Sequence, residues 1–393
     1  MKAHLMYRDR DFDPEQRLPL NEPALTQDLE LNTLYSAMAG GDEFLLQMAK
    51  QTVLSGLQDD QETILYRQNV LKDCLRNYSV VKDIYDIAVD AIEGKRRQWF
   101  GIFSHYPSGI LYGAKELMTI FMDRLRKMKL AADEHSHKFE SDGFVAFFSL
   151  LKAELADEYF ATVHDHLKEL KLRGGVLVSA DLGRGNEGTN YVLRKSLRKK
   201  PGWIERIFAP GPPGYTFRIA ERDEAGARAL SELQDRGLNL VANALSQSAD
   251  HILSFFVMLR TELAFYVGCV NLRGQLAERG SPFCFPIPAP PGARMHSCAG
   301  LCDVCLALKL KQRVVGNSLV ADGKNLVIIT GANQGGKSTF LRGVGLAQLM
   351  MQCGMFVAAE SFSADIRRSL FTHCKREEDA TWRAENSMKN FAG

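Results

Sequence analysis

Apolar residues recur at every third or fourth position through most of the first 170 residues. Such stripes occupy residues 31–38, 44–57, 64–75, 80–92, 117–128 and 144–172. This spacing puts the apolar side chains on one face of an α-helix, and no strand-type alternation competes with it. The sequence therefore predicts a region of long helices. Residues 1–30 contain three prolines among many charges and are predicted to form an extended N-terminal arm.

The pattern changes at about residue 174, where glycines and prolines become frequent. Two short runs, 176–178 and 215–219, have the residue types of strands, so a β-rich interruption is predicted at about 174–220. A helical pattern then returns from about Asp223 to Glu278. About 50 helical residues would span roughly 75 Å, a length that suits a lever or strut. Residues 31–280 are accordingly predicted to be a helical core and lever region.

A different arrangement is predicted for the last hundred residues. Residues 281–293 are rich in proline and are interpreted as an interdomain linker or a stiff entry strand. In 294–393, an apolar strand-type run ends at Thr330, a glycine-rich loop and a helical pattern follow, and Met355–Ala359 has the pattern of another strand. Strand, loop, helix and strand in this order begin an α/β nucleotide-binding domain. The predicted fold class is therefore a mostly α-helical core and lever region followed by a partial α/β P-loop NTPase domain.

The loop after Thr330 carries the residues that bind phosphate. Gly331, four residues, and then Gly336-Lys337-Ser338 match the phosphate-binding (P-loop, or Walker A) pattern. Glycines allow the backbone to approach an anion closely, and the N-terminus of the next helix attracts it. Lys337 would reach the β- and γ-phosphates, and the Ser338 hydroxyl would ligate Mg²⁺. The predicted ATP-binding residues are Gly331, Ala332, Asn333, Gln334, Gly335, Gly336, Lys337, Ser338 and Thr339.

Composition limits the other possibilities. With 393 residues, 46% hydrophobic and 24% charged, the chain has the composition of a soluble globular protein of two or three domains. The net charge of +2 provides no general attraction for nucleic acid, so any DNA-binding surface must be local. One local basic cluster comprises Arg194, Lys195, Arg198, Lys199 and Lys200. Two interpretations of it remain open, a solvated run of charges and a contact to nucleic-acid phosphates.

Cysteine usage and hydropathy indicate a compartment. Eight cysteines in a chain whose N-terminus lacks a secretory apolar core predict reduced thiols in the cytoplasm. Cys298, Cys302 and Cys305 have a spacing found in metal clusters, but their apolar surroundings predict buried free thiols. The apolar stretch 252–270 is interrupted by two charged residues, so no transmembrane helix and no membrane partner are predicted.

Residues 327–359 closely resemble the ATPase domain of the MutS family of DNA mismatch-repair proteins. The resemblance is carried by Ile329–Thr339 with its Asn333 and its double glycine before the lysine, by Arg342, and by Val357-Ala358-Ala359. Tyr66–Leu71 also looks like the Arg-Gln helix that opens the core domain of the family. The resemblance implies a helical core, a DNA clamp in the β-rich interruption, a lever helix and an ATPase. It implies ATP and Mg²⁺ as cofactors, double-stranded DNA as a partner, and a dimer for the full-length relative.

A second resembling segment lies upstream of the loop. Val314-Val315-Gly316-Asn317 is similar to the family segment whose apolar pair packs on adenine. The resemblance therefore adds Val314, Val315 and Asn317 to the nucleotide-binding residues.

The sequence departs from the family pattern in two places. About 60 residues precede the core-like helices, fewer than the mismatch-reading N-terminal domain of the family requires. The acidic Mg²⁺-binding strand and catalytic Glu of the family lie farther on than Gly393, so no catalytic residue is assigned. We expect a truncated chain that hydrolyses ATP very slowly or not at all, since hydrolysis needs a positioned water and a second carboxylate near Mg²⁺.

The sequence thus predicts an ATP-binding MutS-like protein of DNA repair or DNA-structure binding, in which ATP binding is coupled to DNA contacts through a helical lever. Two alternatives stay open. One is a non-catalytic helical scaffold fragment that pairs with partners. The other is a P-loop ATPase that uses long helices mechanically, without specificity for DNA.

Overall fold

The computed structural model describes residues 1–58, 60–99, 106–172, 175–195, 219, 223–310, 313–332 and 335–373. The predicted helical character is confirmed. The helices of the first 170 residues are α1 (Glu22–Asp28), α2 (Leu31–Ala39), α3 (Glu43–Ser55), α4 (Gln61–Arg76), α5 (Tyr78–Trp99), α6 (Pro107–His135), α7 (Asp142–Glu154) and α8 (Asp157–Glu169). The Asp42 and Asp60 side chains cap α3 and α4 by accepting hydrogen bonds from backbone N–H groups of the first turn.

The N-terminal segment differs from the predicted extended arm. Helix α1 lies inside it, so that prediction is wrong for Glu22–Asp28. Pro23 does not prevent the helix because the first turn of a helix needs no N–H donor. Before α1 the chain is not helical, yet Leu5, Met6 and Phe12 are buried. The segment is therefore part of the core.

The predicted β-rich interruption contains a two-stranded antiparallel hairpin, β1 (Val178–Leu182) and β2 (Gly188–Leu193). The first predicted strand, 176–178, overlaps β1 only at Val178, because hydrogen bonding to β2 decides where the strand lies. Of the second predicted strand, 215–219, residues 215–218 lie outside the described residues.

A single helix, α9 (Glu224–Glu278, 55 residues), confirms the predicted long helix, and its role as a lever stays a prediction. On length and hydropathy alone α9 could cross a membrane, although 72% of its apolar window is buried inside the protein. Buried core helices pass the same test, so it is weak support for a membrane span.

The remaining elements form a four-stranded sheet with two helices. They are β3 (Ile287–Ala289), β4 (His296–Leu301), α10 (Val304–Leu310), β5 (Asn317–Val320), α11 (Lys337–Gln352) and β6 (Ser361–Asp365). The strand order is β3-β6-β4-β5, with β3 parallel to β6 and the other neighbours antiparallel.

Two predicted strands are absent from this sheet. Leu326–Thr330 is not a strand, and the Leu326 and Ile328 side chains are 75% and 76% exposed. A strand requires a hydrogen-bonded neighbour, and no described strand pairs with this segment. Met355–Ala359 is buried as predicted, but it forms only an isolated bridge between Val357 and Cys284. Both strand predictions are therefore wrong.

The chain divides into two compact units. The described parts of Asp86–Glu134 and Phe148–Leu259, with Met1, form the helical unit. The described parts of Lys2–Tyr85, His135–Phe147 and the chain from Arg260 onward form the sheet unit. In the helical unit, the Phe121 and Phe256 rings lie 5.7 Å apart between centroids in an apolar interior.

The sheet unit holds residues 3–12, here called the N-terminal strap. The buried Glu262 carboxylate accepts hydrogen bonds from the backbone N–H groups of Leu5 at 2.6 Å and Phe12 at 3.0 Å. The Tyr266 hydroxyl donates to the Leu5 carbonyl, and Arg67 Nε donates to the Met6 carbonyl. Burial raises the pKa of Glu262 to about 7, because desolvation of the charged form outweighs the hydrogen bonds that favour it.

Candidate nucleotide site

The backbone of the glycine-rich loop requires glycine at its two ends. Gly331 has φ 150° and Gly336 has φ 79°, conformations that side-chain-bearing residues avoid. Gly336 is the N-cap of α11, so the helix starts directly after the loop. Predicted site residues Asn333 and Gln334 lie outside the described residues. The described part of the loop thus has the glycine geometry that the phosphate-binding pattern needs.

The Lys337 side chain folds back on the start of the loop. Its ammonium donates hydrogen bonds to the carbonyl oxygens of Gly331 at 2.8 Å and Ala332 at 2.5 Å. The Gly335 N–H also donates to the Ala332 carbonyl, at 3.2 Å. An ammonium has three donors. These contacts therefore hold a cation beside the loop backbone while one donor is left for another acceptor.

The N-terminus of α11 has the properties of an anion site. No side chain caps it, and the first N–H groups of a helix have no partner within the helix. Those groups and the helix dipole attract negative charge. The Ser338 side chain is exposed and that of Thr339 is half-buried, both in the first turn. The structure therefore brings together the described part of the loop, Lys337 and the helix N-terminus.

An ion-pair network fixes α11 in the sheet unit. Arg342 Nε lies 2.6 Å from an Asp303 carboxylate oxygen, and Arg342 Nη1 lies 2.7 Å from Glu30. Asp303 also accepts a hydrogen bond from the Leu306 N–H in the first turn of α10, and Glu30 pairs with Lys309 at 2.6 Å. The sequence analysis noted Arg342 but not its partners. Asp303 directly precedes α10, so its position as a helix N-cap was the feature of the sequence that could have marked this residue.

Close backbone approaches also fix the far end of α11. A Cβ on Gly56 would lie 2.6 Å from Cys353 Cα, and a Cβ on Gly354 would lie 2.5 Å from Arg67 Cβ. A Cβ on Gly345 would lie 2.8 Å from a methyl group of Leu29. Small residues are therefore required where α11 meets the end of α3, α4 and the segment before α2, so α11 packs closely against these elements.

The predicted adenine segment lies on the edge strand β5 and just before it. The Val315 side chain is 84% exposed, Asn317 is exposed at the start of β5, and Val314 is half-buried. Val314 and Val315 line a cavity of about 400 Å³ together with Cys302, Arg313 and Glu360, among others. Among the described residues, no hydrogen bond or ion pair joins this segment to the glycine-rich loop. The prediction that both contact one nucleotide stays a prediction.

Two of the predicted DNA-contacting residues, Arg194 and Lys195, directly follow strand β2 of the hairpin. Arg194 Nε donates to the Ser179 hydroxyl at 2.8 Å, and Lys195 Nζ lies 2.5 Å from a Glu169 carboxylate oxygen. Both basic side chains are exposed. Arg198, Lys199 and Lys200 lie outside the described residues.

The cysteines behave as buried thiols. Cys298, Cys302 and Cys305 are free, and burial raises the pKa of each, in the case of Cys305 to about 12. No group of three or more His, Cys, Asp or Glu in the described part of the chain could hold a metal ion. The prediction of buried free thiols is confirmed for these three residues.

Comparison with protein-family models assigns the chain to a family. The model of the MutS2 N-terminal domain matches residues 59–279, more than half of the chain. The chain belongs to the MutS family. The model of MutS domain V also matches, over residues 327–390, the part that contains the glycine-rich loop and α11. The family resemblance inferred from the sequence is confirmed.

Individual relatives agree with this assignment. The DNA mismatch repair protein MutS of Symbiobacterium thermophilum is 31% identical over 287 residues, which are 67% of this chain and 32% of that protein. Human MutS protein homolog 4 is 35% identical over 82 residues, 21% of this chain and 9% of the homolog. The MutS protein of Chloroflexus aurantiacus is 40% identical over 72 residues, 18% of this chain and 8% of that protein. The matched regions thus span about a third or less of these relatives.

Proposed function

We propose that this MutS-family chain binds ATP with Mg²⁺ at residues 331–339 and couples that binding to DNA contacts, as part of DNA repair or DNA-structure binding. One observation carries the proposal. A left-handed glycine, Gly336, opens α11 without a side-chain cap, and the Lys337 ammonium lies at the start of the same loop. This combination offers backbone N–H groups and a cation to a phosphate chain.

Each residue of the loop has a role in the proposed site. The glycines let backbone N–H groups approach the phosphates, and Lys337 neutralises the β- and γ-phosphates by exchanging its carbonyl partners for phosphate oxygens. Ser338 supplies a hydroxyl ligand to Mg²⁺, which when bound would offset the phosphate charge. Val314, Val315 and Asn317 are proposed to contact the adenine. In this proposal the loop and α11 form the phosphate side of a P-loop NTPase domain.

No catalytic residue is assigned. Hydrolysis needs a carboxylate that positions Mg²⁺ and the attacking water. Among the described residues no acidic cluster stands beside Ser338 that could hold the ion. The proposal for this chain is therefore nucleotide binding, and it includes no hydrolytic step.

Coupling to DNA is proposed to run through the supports of α11. The Arg342 network and the contacts of Gly56 and Gly354 tie this helix to α3, α4 and α10. A nucleotide that shifts α11 would therefore shift the elements packed against it. Double-stranded DNA and a second MutS-family subunit are the proposed partners. The names of the mismatch repair relatives support the first of these.

Nucleotide titration of the Lys337→Met variant tests the proposal. Wild-type protein should bind ATP in the presence of Mg²⁺, and the variant should lose at least tenfold in affinity. Lys138→Met is the matched control, because Lys138 is exposed and lies 193 residues before Gly331 in the sequence. If Lys337→Met binds ATP as tightly as wild type, the assignment of the site fails. Absence of ATP binding by the wild-type chain would favour the scaffold alternative.

A further inference from the structure

A groove in the helical unit has no role in the function described so far. It lies between α6 and α8 and has a volume of about 740 Å³. Four basic side chains line it, Lys115 and Arg126 from α6, Lys168 from α8, and Lys171 just after the end of α8. Arg126, Lys168 and Lys171 are exposed, so their charges face solvent.

The charges of the groove do not cancel. Two acidic residues also line it, but both have basic neighbours: Asp123 lies 2.6 Å from Arg124, and Glu116 lies 3.8 Å from Lys115. Arg126, Lys168 and Lys171, by contrast, make no ion pair within the described part of the chain. The groove therefore carries an excess of positive charge, although Asp157 lies near enough to Arg126 to act on it electrostatically, and this excess would attract an anion.

The basic residues of the groove are spread along α6, so a small anion would contact only some of them. Lys115 and Arg126 are eleven residues apart on one helix, which corresponds to about 16 Å along its axis. One strand of duplex DNA advances about 3.4 Å per phosphate, so this distance covers roughly five steps. An extended chain of phosphates can contact the basic residues along both helices together.

The aromatic content of the groove indicates how such a ligand would be recognised. Phe160 is buried, and the Arg126 guanidinium lies over its ring at 5.0 Å from the centroid. The ring thus positions the guanidinium and leaves no open face on which a base could stack. Recognition through charge alone would be independent of base sequence.

The hairpin continues the basic surface. The ion pair of Lys195 with Glu169 places the end of β2 beside the C-terminal turn of α8, where Lys168 and Lys171 lie. A helix C-terminus favours cations without any ligand, which explains the two lysines but not Arg126 in the middle of α6. The end of the hairpin thus lies beside the groove, and Lys195 there is neutralised by Glu169.

We propose that the α6–α8 groove contacts the phosphate backbone of double-stranded DNA without sequence specificity, through Arg126, Lys168 and Lys171. This deepens the proposed function and rests on its DNA half. The three residues were not among the DNA-contacting residues predicted from the sequence. They add a surface formed by helices to the DNA contacts predicted from the sequence.

Salt-dependent binding of a 30-base-pair duplex of arbitrary sequence to the full chain tests the inference. The triple variant Arg126→Gln, Lys168→Gln, Lys171→Gln should bind at least tenfold more weakly at 50 mM salt. Each lost phosphate contact removes about 0.9 from the slope of log K against log salt concentration, so the slope should become shallower by roughly two to three. Unchanged thermal unfolding verifies that the variant is folded.

A matched control separates this surface from net charge. Lys138→Gln, Lys324→Gln, Arg368→Gln removes the same three charges from exposed positions of the sheet unit and should bind within twofold of wild type. Equal losses in both triple variants, or a groove variant that binds like wild type, would overturn the inference. So would effective competition by poly-glutamate at equal charge concentration, which would indicate that the ligand is an acidic polypeptide.

Lack of duplex binding by wild type would reject both this inference and the DNA half of the proposed function. ATP affinity measured on the same protein would report on the nucleotide half alone.

Discussion

Arg342 on α11 lies 2.6 Å from Asp303, whose side chain is almost fully buried at the start of α10. Removing the cation would leave a buried carboxylate without its charge partner, which costs much more than a surface ion pair. We expect Arg342→Ala to lower the free energy of unfolding by about 2–3 kcal/mol in urea titrations. The exposed Arg368→Ala should change it by less than about 0.5 kcal/mol. Similar values for the two variants would show that the network does not hold α11 in place.

The stability of the sheet unit should depend on the protonation of Glu262. Its pKa is about 7 in the folded protein and 4.5 as the ordinary value, so folding favours the protonated form. The stabilisation is complete below pH 4.5 and is lost as the pH rises through 7. The expected fall in the free energy of unfolding from pH 4 to pH 8 is on the order of 3 kcal/mol from this group.

Chemical denaturation across this pH range measures the effect. The Glu262→Gln variant should have a flatter profile between pH 5 and pH 8, because the amide does not titrate. Glu278→Gln, an exposed position on the same helix, should keep the wild-type profile. An unchanged slope in Glu262→Gln would mean that this carboxyl is already ionised throughout the range.

Two glycines should respond in opposite directions to the same substitution. Gly56→Ala places a Cβ 2.6 Å from the backbone of Cys353, and neither backbone can move freely, so we expect a loss of about 1–3 kcal/mol. Gly274→Ala meets no atom within 4 Å near the C-terminal end of α9 and should gain up to about 1 kcal/mol. Thermal and urea unfolding of both variants check this. A gain in Gly56→Ala would show that α3 and α11 can separate without cost.

Leu326 and Leu349 provide a matched test of the absent strand. The same Leu→Ala substitution should cost less than about 0.5 kcal/mol at Leu326, which is 75% exposed, and about 2–5 kcal/mol at the fully buried Leu349. Equilibrium unfolding measures both. A large cost at Leu326 would indicate that the segment is packed as a strand in solution, as its sequence predicts.

The sequence predicted the helices well because a helix satisfies its own backbone. The apolar stripes in residues 31–92 and the long helical pattern that corresponds to α9 depend only on residues close together in the sequence. Strands depend on a partner, which local pattern does not provide. Leu326–Thr330 has the composition of a strand but no described strand beside it, and the buried Met355–Ala359 forms a single bridge.

The candidate sites divide in the same way. Lys337 and the loop glycines were predictable because the phosphate-binding motif is contiguous in sequence. Glu30 and Asp303, which hold Arg342, are 312 and 39 residues from it, and no local pattern joins them. The groove residues Arg126 and Lys168 lie on different helices, and only the packing of α6 against α8 brings them together.

The N-terminal strap has a consequence for the order of folding during synthesis. Leu5 and Phe12 depend on a carboxylate that follows them by 257 and 250 residues. At 5–20 residues per second, a ribosome would need on the order of 10 to 50 s to add Glu262 after Leu5. Throughout that interval the strap belongs to a nascent chain in which Glu262 has not yet been synthesised. Its apolar side chains therefore lack the site that they occupy in the folded protein. A chaperone that shields the strap would therefore have to act until the ribosome has added Glu262.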